Sequence, residues 1–259
     1  MNDPAAQGRR QDLAERLERV RRRIADAARA AGRETPELIV VTKFFPASDV
    51  RHLSGLGVRA VGENRDQEAA AKAAETADLD LEWHFIGQLQ KNKAKSVVRY
   101  ASAVHSVDRE PLVGALARAM EREQERRREA GEPPRPPLTA LVQVDLDQGG
   151  PDAWNDGGAD AAQPGRGGAA PDDVSSIAAA IAAAPGLELG GVMAVAPLGG
   201  DPDEAFERLR AIALRLQEQY PEATAISAGM SQDLESAVAH GATHLRIGSD
   251  VLGPRPAVR

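Results

Sequence analysis

The sequence predicts one (β/α)8 barrel, a TIM barrel, with an extra helix at its N-terminal end. Three observations lead there. Eight short strand-like runs alternate with helical stretches along the chain. The alternation starts near Leu38 and uses almost all of the 259 residues, the usual size of this fold. The first run, LIVV at residues 38–41, is apolar without a break, as strands are when helices cover both faces of a parallel sheet. An open doubly wound sheet is the competing architecture, but eight repeats suit closure better.

Each element has its own signal. Leu13, Leu17, Val20, Ile24, Ala28 and Ala31 recur at helical spacing, and Gly32 ends that helix, which is expected to fill a place in the outer ring. Strands are predicted at 38–41, 59–62, 84–87, 103–107, 138–146, 187–195, 223–227 and 244–248. Helices are predicted at 47–56, 65–76, 89–100, 110–130, 171–184, 202–220 and 231–240. The last strand has no helix after it in this reading. Residues 149–170, rich in Gly, Ala and Asp, break the pattern and read as a flexible loop after the fifth strand, either a lid or a disordered insertion.

Composition narrows the function. A net charge of -7 argues against a nucleic-acid surface. The absence of cysteine excludes disulfides, thiolate metal sites and cysteine nucleophiles. No apolar run suits a membrane span and the N-terminus lacks a signal-peptide core, so a cytoplasmic protein is expected. The five histidines are scattered over helices and strands and form no expected site, and no metal is expected. The run EREQERRRE reads as a solvated helix face.

In a barrel, residues just past the C-terminal strand ends face the active site. After strands seven and eight stand Ser227, Gly229, Met230 and Ser231, then Gly248 and Ser249. Hydroxyls and close backbone there suit a phosphate. Lys43 follows the first strand. It reads either as a surface lysine or as a Schiff-base lysine for a carbonyl ligand, and a phosphorylated aldehyde such as pyridoxal phosphate (PLP) would satisfy both features. Arg246 shares the inward face with Gly248.

The motifs VTKFFP, VGENRDQE, WHFIGQLQKNK, VHSVDR, GVMAVAP and SAGMSQDLESAVAHGATHLRIGSDVLG resemble the YggS/PROSC family of PLP homeostasis proteins from about Leu38 to Gly253. The resemblance implies a single-domain fold-type III barrel over residues 1–259, similar to the N-terminal domain of alanine racemase. It implies that Lys43 holds PLP as a Schiff base and that Asn64 approaches the cofactor. Ser227, Gly229, Met230, Ser231, Gly248 and Ser249 match the phosphate side, and Arg246 is expected to meet the pyridine nitrogen. As a residue alone, Arg246 reads equally as a core arginine paired with a carboxylate such as Glu63. Two departures stand out: Gln88 replaces a frequent histidine, and Arg166-Gly167-Gly168 replaces a Lys-x-Gly element.

The function expected is a PLP reservoir or carrier to apo-enzymes, monomeric and without robust catalysis. The alternatives are a small racemase-like PLP enzyme and a class I aldolase. A two-base racemase needs an acid–base group on each face of the substrate. The tyrosines Tyr100 and Tyr220 fall near predicted helix ends, and no C-terminal domain is expected beyond the barrel.

Overall fold

The computed structural model describes residues 4–147 and 167–255. Eight parallel strands close into a barrel in chain order. The elements are α1 (Pro4–Ala30), β1 (Glu37–Val41), α2 (Ala47–Ser54), β2 (Ala60–Glu63), α3 (Asp66–Glu75), β3 (Glu82–Phe85), α4 (Ala94–Val97), β4 (Ala103–Val107), α5 (Glu110–Glu129), β5 (Leu138–Gln143), α6 (Val174–Ala183), β6 (Leu187–Met193), α7 (Pro202–Gln219), β7 (Ala225–Ser227), α8 (Leu234–Ala239), β8 (His244–Ile247) and α9 (Ser249–Leu252). Closure comes from β1 against β8, with Ile39 opposite Arg246 and Val40 opposite Ile247. Among the described residues, no helix is long and apolar enough to cross a membrane.

Strand alternation sorts the side chains into two layers. Val40, Val61, Phe85, Val104, Val142, Val192 and Leu245 join the apolar layer between strands and helices. The opposite face fills the barrel, and it is unusually polar. His84, His105, Ser227 and Arg246, from β3, β4, β7 and β8, are buried and hydrogen-bonded to one another across the interior.

The extra helix does complete the ring. Leu13, Leu17, Val20, Ile24 and Ala28 are all buried, and α1 packs against α2, α8 and α9. At about 25 cal/mol per Å² of apolar surface removed from water, burying this stripe favours the docked helix, and Arg9 adds hydrogen bonds to Asp49 and the Leu252 carbonyl.

Four boundaries depart from expectation. Residues 89–100 are not one helix. Leu89 is drawn into the core, so the chain enters helical geometry only with a 3-10 turn at Lys91–Lys93 and then the single turn of α4. β5 stops at Gln143, and its continuation is an isolated bridge from Val144 to Ala169. α8 starts at Leu234 because the Asp233 carboxylate accepts the Met230 N–H at 2.6 Å and shapes residues 230–233 into a turn. A one-turn helix, α9, does follow β8. Most of the expected loop at 149–170 lies outside the described residues.

Candidate functional site

A cavity of about 720 Å³ opens at the C-terminal end of the barrel. Lys43, Asn64, Met230, Ser231, Arg246, Gly248 and Ser249 all line it. The structure thus gathers seven of the nine expected residues from the ends of β1, β2, β7 and β8. Ser227 and Gly229 do not reach the wall. Ser227 is fully buried beneath it, where its Oγ accepts a hydrogen bond from Arg246 Nη1 at 2.6 Å. Gly229 shapes the turn: its φ is +88°, and a Cβ there would come within 2.7 Å of Ala237 and Leu245.

Lys43 is half-buried, and among the described residues no carboxylate lies within ion-pair distance of it. Burial lowers the pKa of its ammonium, the positive charge of Arg255 lowers it further, and Glu63 opposes both. The outcome is an amine more readily neutral than an ordinary lysine, which is what a nucleophilic lysine requires. The residue after it, Phe44, has φ +71°, the one non-glycine left-handed residue among those described. Such a conformation costs on the order of 1–3 kcal/mol and persists only where its surroundings enforce it. Here the Arg255 guanidinium sits 3.8 Å over the Phe44 ring, Arg65 lies 5.4 Å from it, and the Phe44 N–H donates to Glu68 at 3.4 Å.

The wall behind Lys43 is a buried network. Glu63 Oε1 accepts from Thr42 Oγ1 at 2.7 Å and from Lys72 Nζ at 2.6 Å, and Lys72 also donates to the Thr42 carbonyl at 2.8 Å. Glu63 is therefore the partner of Lys72 and not of Arg246, which corrects one of the two sequence expectations. Arg246 instead donates to Ser227 Oγ and to the Ala194 carbonyl at 2.8 Å. Burial pushes its pKa down to about 10, which leaves it charged at neutral pH. Asn64 is set at the mouth by close packing: a Cβ on Gly87 would lie 2.2 Å from the Asn64 carbonyl oxygen. The Asn64 side-chain oxygen is buried without a hydrogen-bond partner.

The loops after β7 and β8 are clamped from the ring. Arg23 of α1 donates to the Ser231 carbonyl at 2.7 Å and reaches Asp250 at 3.3 Å and Glu235 at 2.7 Å. One side chain thereby fixes both the loop after β7 and the start of α9. Arg23, Arg255, Phe44 and Asp233 were not anticipated. A signal existed only for Asp233, an Asp three residues after Met230 at a turn.

The strand histidines His84 and His105 are core residues. His84 Nδ1 and His105 Nε2 are 2.9 Å apart, and His105 Nδ1 lies 2.9 Å from Ser227 Oγ. Burial lowers the His84 pKa to about 4 and holds His105 well below the usual range, so both rings are neutral at pH 7. At the other end of the barrel, Glu37, Glu82 and His84 bring three donor atoms within 4.8 Å of one another.

A mouth lysine facing two hydroxyl-bearing loops on a closed parallel barrel suits a phosphorylated carbonyl ligand. Residues 16–256 match the family described as alanine racemase, N-terminal domain. The chain is 44% identical to the pyridoxal phosphate homeostasis protein of Mycobacterium bovis, over 95% of this chain and 94% of that one. It is 33% identical to the protein of that name in Escherichia coli, over 94% and 97%. The structure of PipY from Synechococcus elongatus with PLP bound superposes with a TM-score of 0.73 at 33% identity, covering 93% of this chain and 100% of that one. Alanine racemase from Corynebacterium glutamicum shares the fold, with a TM-score of 0.62 at 15% identity over 96% of this chain and 63% of that one. The chain belongs to the family of pyridoxal phosphate homeostasis proteins.

Proposed function

We propose that this chain holds PLP on Lys43 at the barrel mouth and serves PLP homeostasis as a reservoir and donor to apo-enzymes, without robust catalysis of its own. It would act as a cytoplasmic monomer, one barrel domain over residues 1–259. The observation that carries the reading is Lys43: a half-buried amine with a lowered pKa and no carboxylate partner, in a cavity whose wall also holds Ser231, Gly248 and Ser249.

The residues present fit the cofactor. When bound, PLP supplies an aldehyde, which is an electrophile for a neutral amine. Among the described residues, Lys43 is the one lysine in the cavity wall. The orphaned Asn64 oxygen is an acceptor for a ligand hydroxyl. Ser231 and Ser249 offer hydroxyls to a phosphate, with Met230, Gly248 and Ser249 closing the backbone around it. Ser227 and Gly229 act from behind the wall, one on Arg246 and one on the turn. We assign Arg246 to the ring-nitrogen side. A fixed guanidinium disfavours a second positive charge beside it, and so weakens the electron sink that most PLP catalysis uses. Neither tyrosine lines the cavity, and Tyr100 is engaged with Asp66, so no tyrosine stands there as a second acid–base group.

The test is borohydride reduction of the purified holo-protein followed by peptide mass spectrometry. A reduced pyridoxyl group is expected on Lys43, and Lys43→Ala is expected to lose both that adduct and the visible absorbance. An adduct retained at full occupancy in Lys43→Ala removes the assignment. Incubation with amino acids in deuterated water then separates holder from enzyme, because sustained Cα exchange at enzyme-like rates defeats the non-catalytic reading.

A further inference from the structure

We propose that Glu37, Glu82 and His84 bind a divalent transition cation such as Zn²⁺ at the N-terminal end of the barrel, opposite the PLP cavity. Glu37 and Glu82 open β1 and β3, and His84 follows Glu82 by two residues on the same strand face. One donor atom from each lies within 4.8 Å of the other two.

The second observation is His84 itself. Its ring is buried, with 6% of the residue exposed, and its Nε2 has no hydrogen-bond partner. The nearest Glu82 oxygen is 3.9 Å away, too far for a hydrogen bond. Nε2 is therefore either an N–H without an acceptor or a lone pair without a donor, and both are costly in a buried ring. A cation between the imidazole and the two carboxylates removes the deficit.

The surroundings already resemble a metal ligand's supporting shell. A ligating histidine usually donates its other ring N–H to a fixed partner, and His84 Nδ1 faces His105 Nε2 at 2.9 Å. With Nε2 on the cation, Nδ1–H donates to His105 Nε2 and His105 Nδ1–H donates to Ser227 Oγ. That oxygen then uses its two lone pairs for His105 and Arg246. The arrangement selects one tautomer of each ring and neither gains nor loses a proton. Glu37 is steadied by His244 Nε2 at 3.3 Å. One imidazole with two carboxylates suits Zn²⁺ or Co²⁺ better than Mg²⁺ or Ca²⁺, which prefer oxygen alone.

The experiment uses the full chain, stripped with a chelator and titrated with Co²⁺ and then Zn²⁺. One Co²⁺ per chain is expected, with ligand-field absorbance that Zn²⁺ abolishes. Glu37→Gln and Glu82→Gln change exposed side chains and are expected to fold. Each should weaken binding at least about tenfold, and His84→Gln should lose the absorbance. His240→Ala, at the separate His240–Asp203 contact, should leave it unchanged. A rise in Tm with Zn²⁺ in the parent chain, absent in Glu82→Gln, is the second readout. Absence of stoichiometric binding, or binding that survives both Glu37→Gln and Glu82→Gln, overturns the proposal.

Discussion

Lys72 reaches from α3 to the Thr42 carbonyl, one residue from Lys43, yet the two ammonium groups are held in opposite ways. Lys72 is buried and satisfied by Glu63 and a carbonyl. Lys43 is half-buried, faces a cavity and has no carboxylate at ion-pair distance. A paired cation behind the wall gives rigidity, and a half-buried one without an ion-pair partner is the more readily neutral amine. Lys72 also occupies Glu63, the carboxylate that acts electrostatically on Lys43, so that acid does not salt-bridge the Lys43 amine.

The largest expected effect breaks the paired side. Lys72→Met or Glu63→Gln alone strands a buried charge or its partner and should cost about 3–5 kcal/mol in chemical denaturation, whereas the double variant should recover much of that. A double variant that costs as much as the two singles added together would show the two residues to be independent. At Lys43 the contrast should be plain. Its pKa is lowered on folding, so between the folded and unfolded values the unfolded chain keeps more protons than the folded one and stability rises with pH: the penalty from the charged amine is present at neutral pH and fades toward the ordinary lysine range. Lys43→Met should therefore be slightly more stable at pH 7, by well under about 1 kcal/mol because the group is half exposed, with the gain vanishing near pH 10.

A second effect sharpens the comparison from the ring. Arg23→Met removes the clamp on the loops after β7 and β8 without touching the cavity. PLP dissociation should accelerate on the order of tenfold, equivalent to about 1.4 kcal/mol, with the Lys43 adduct still formed. An unchanged rate would mean that the loops hold their shape without α1. The smallest effect concerns Arg255. Arg255→Met removes a positive neighbour, so the Lys43 pKa should rise and the pH profile of PLP loading should move toward higher pH. A profile that stays in place would assign the lowering to burial alone.

The barrel was legible in the sequence because its signals are local: apolar runs, helical spacing, and glycines at turns. The strand-end rule likewise carried Lys43, Asn64, Ser231, Arg246 and Ser249 to one cavity, since position along a strand determines which end a residue meets. Ser227 lay one pleat too deep for that rule, its side chain meeting Arg246 and not the opening. The supporting residues were illegible for a different reason. Arg23 and Ser231 are 208 residues apart, and Glu37 and Glu82 stand on strands that do not pair with each other. No spacing pattern connects such positions before the ring is closed.

The placing of α1 also bears on synthesis. Among the described helices α1 is made before the others, but two of the three helices packed against it, α8 and α9, are made after the rest. Only α2 is available early. This helix is thus among the last of them to be buried, and its apolar face must be tolerated, or shielded by chaperones, until α8 and α9 have been made.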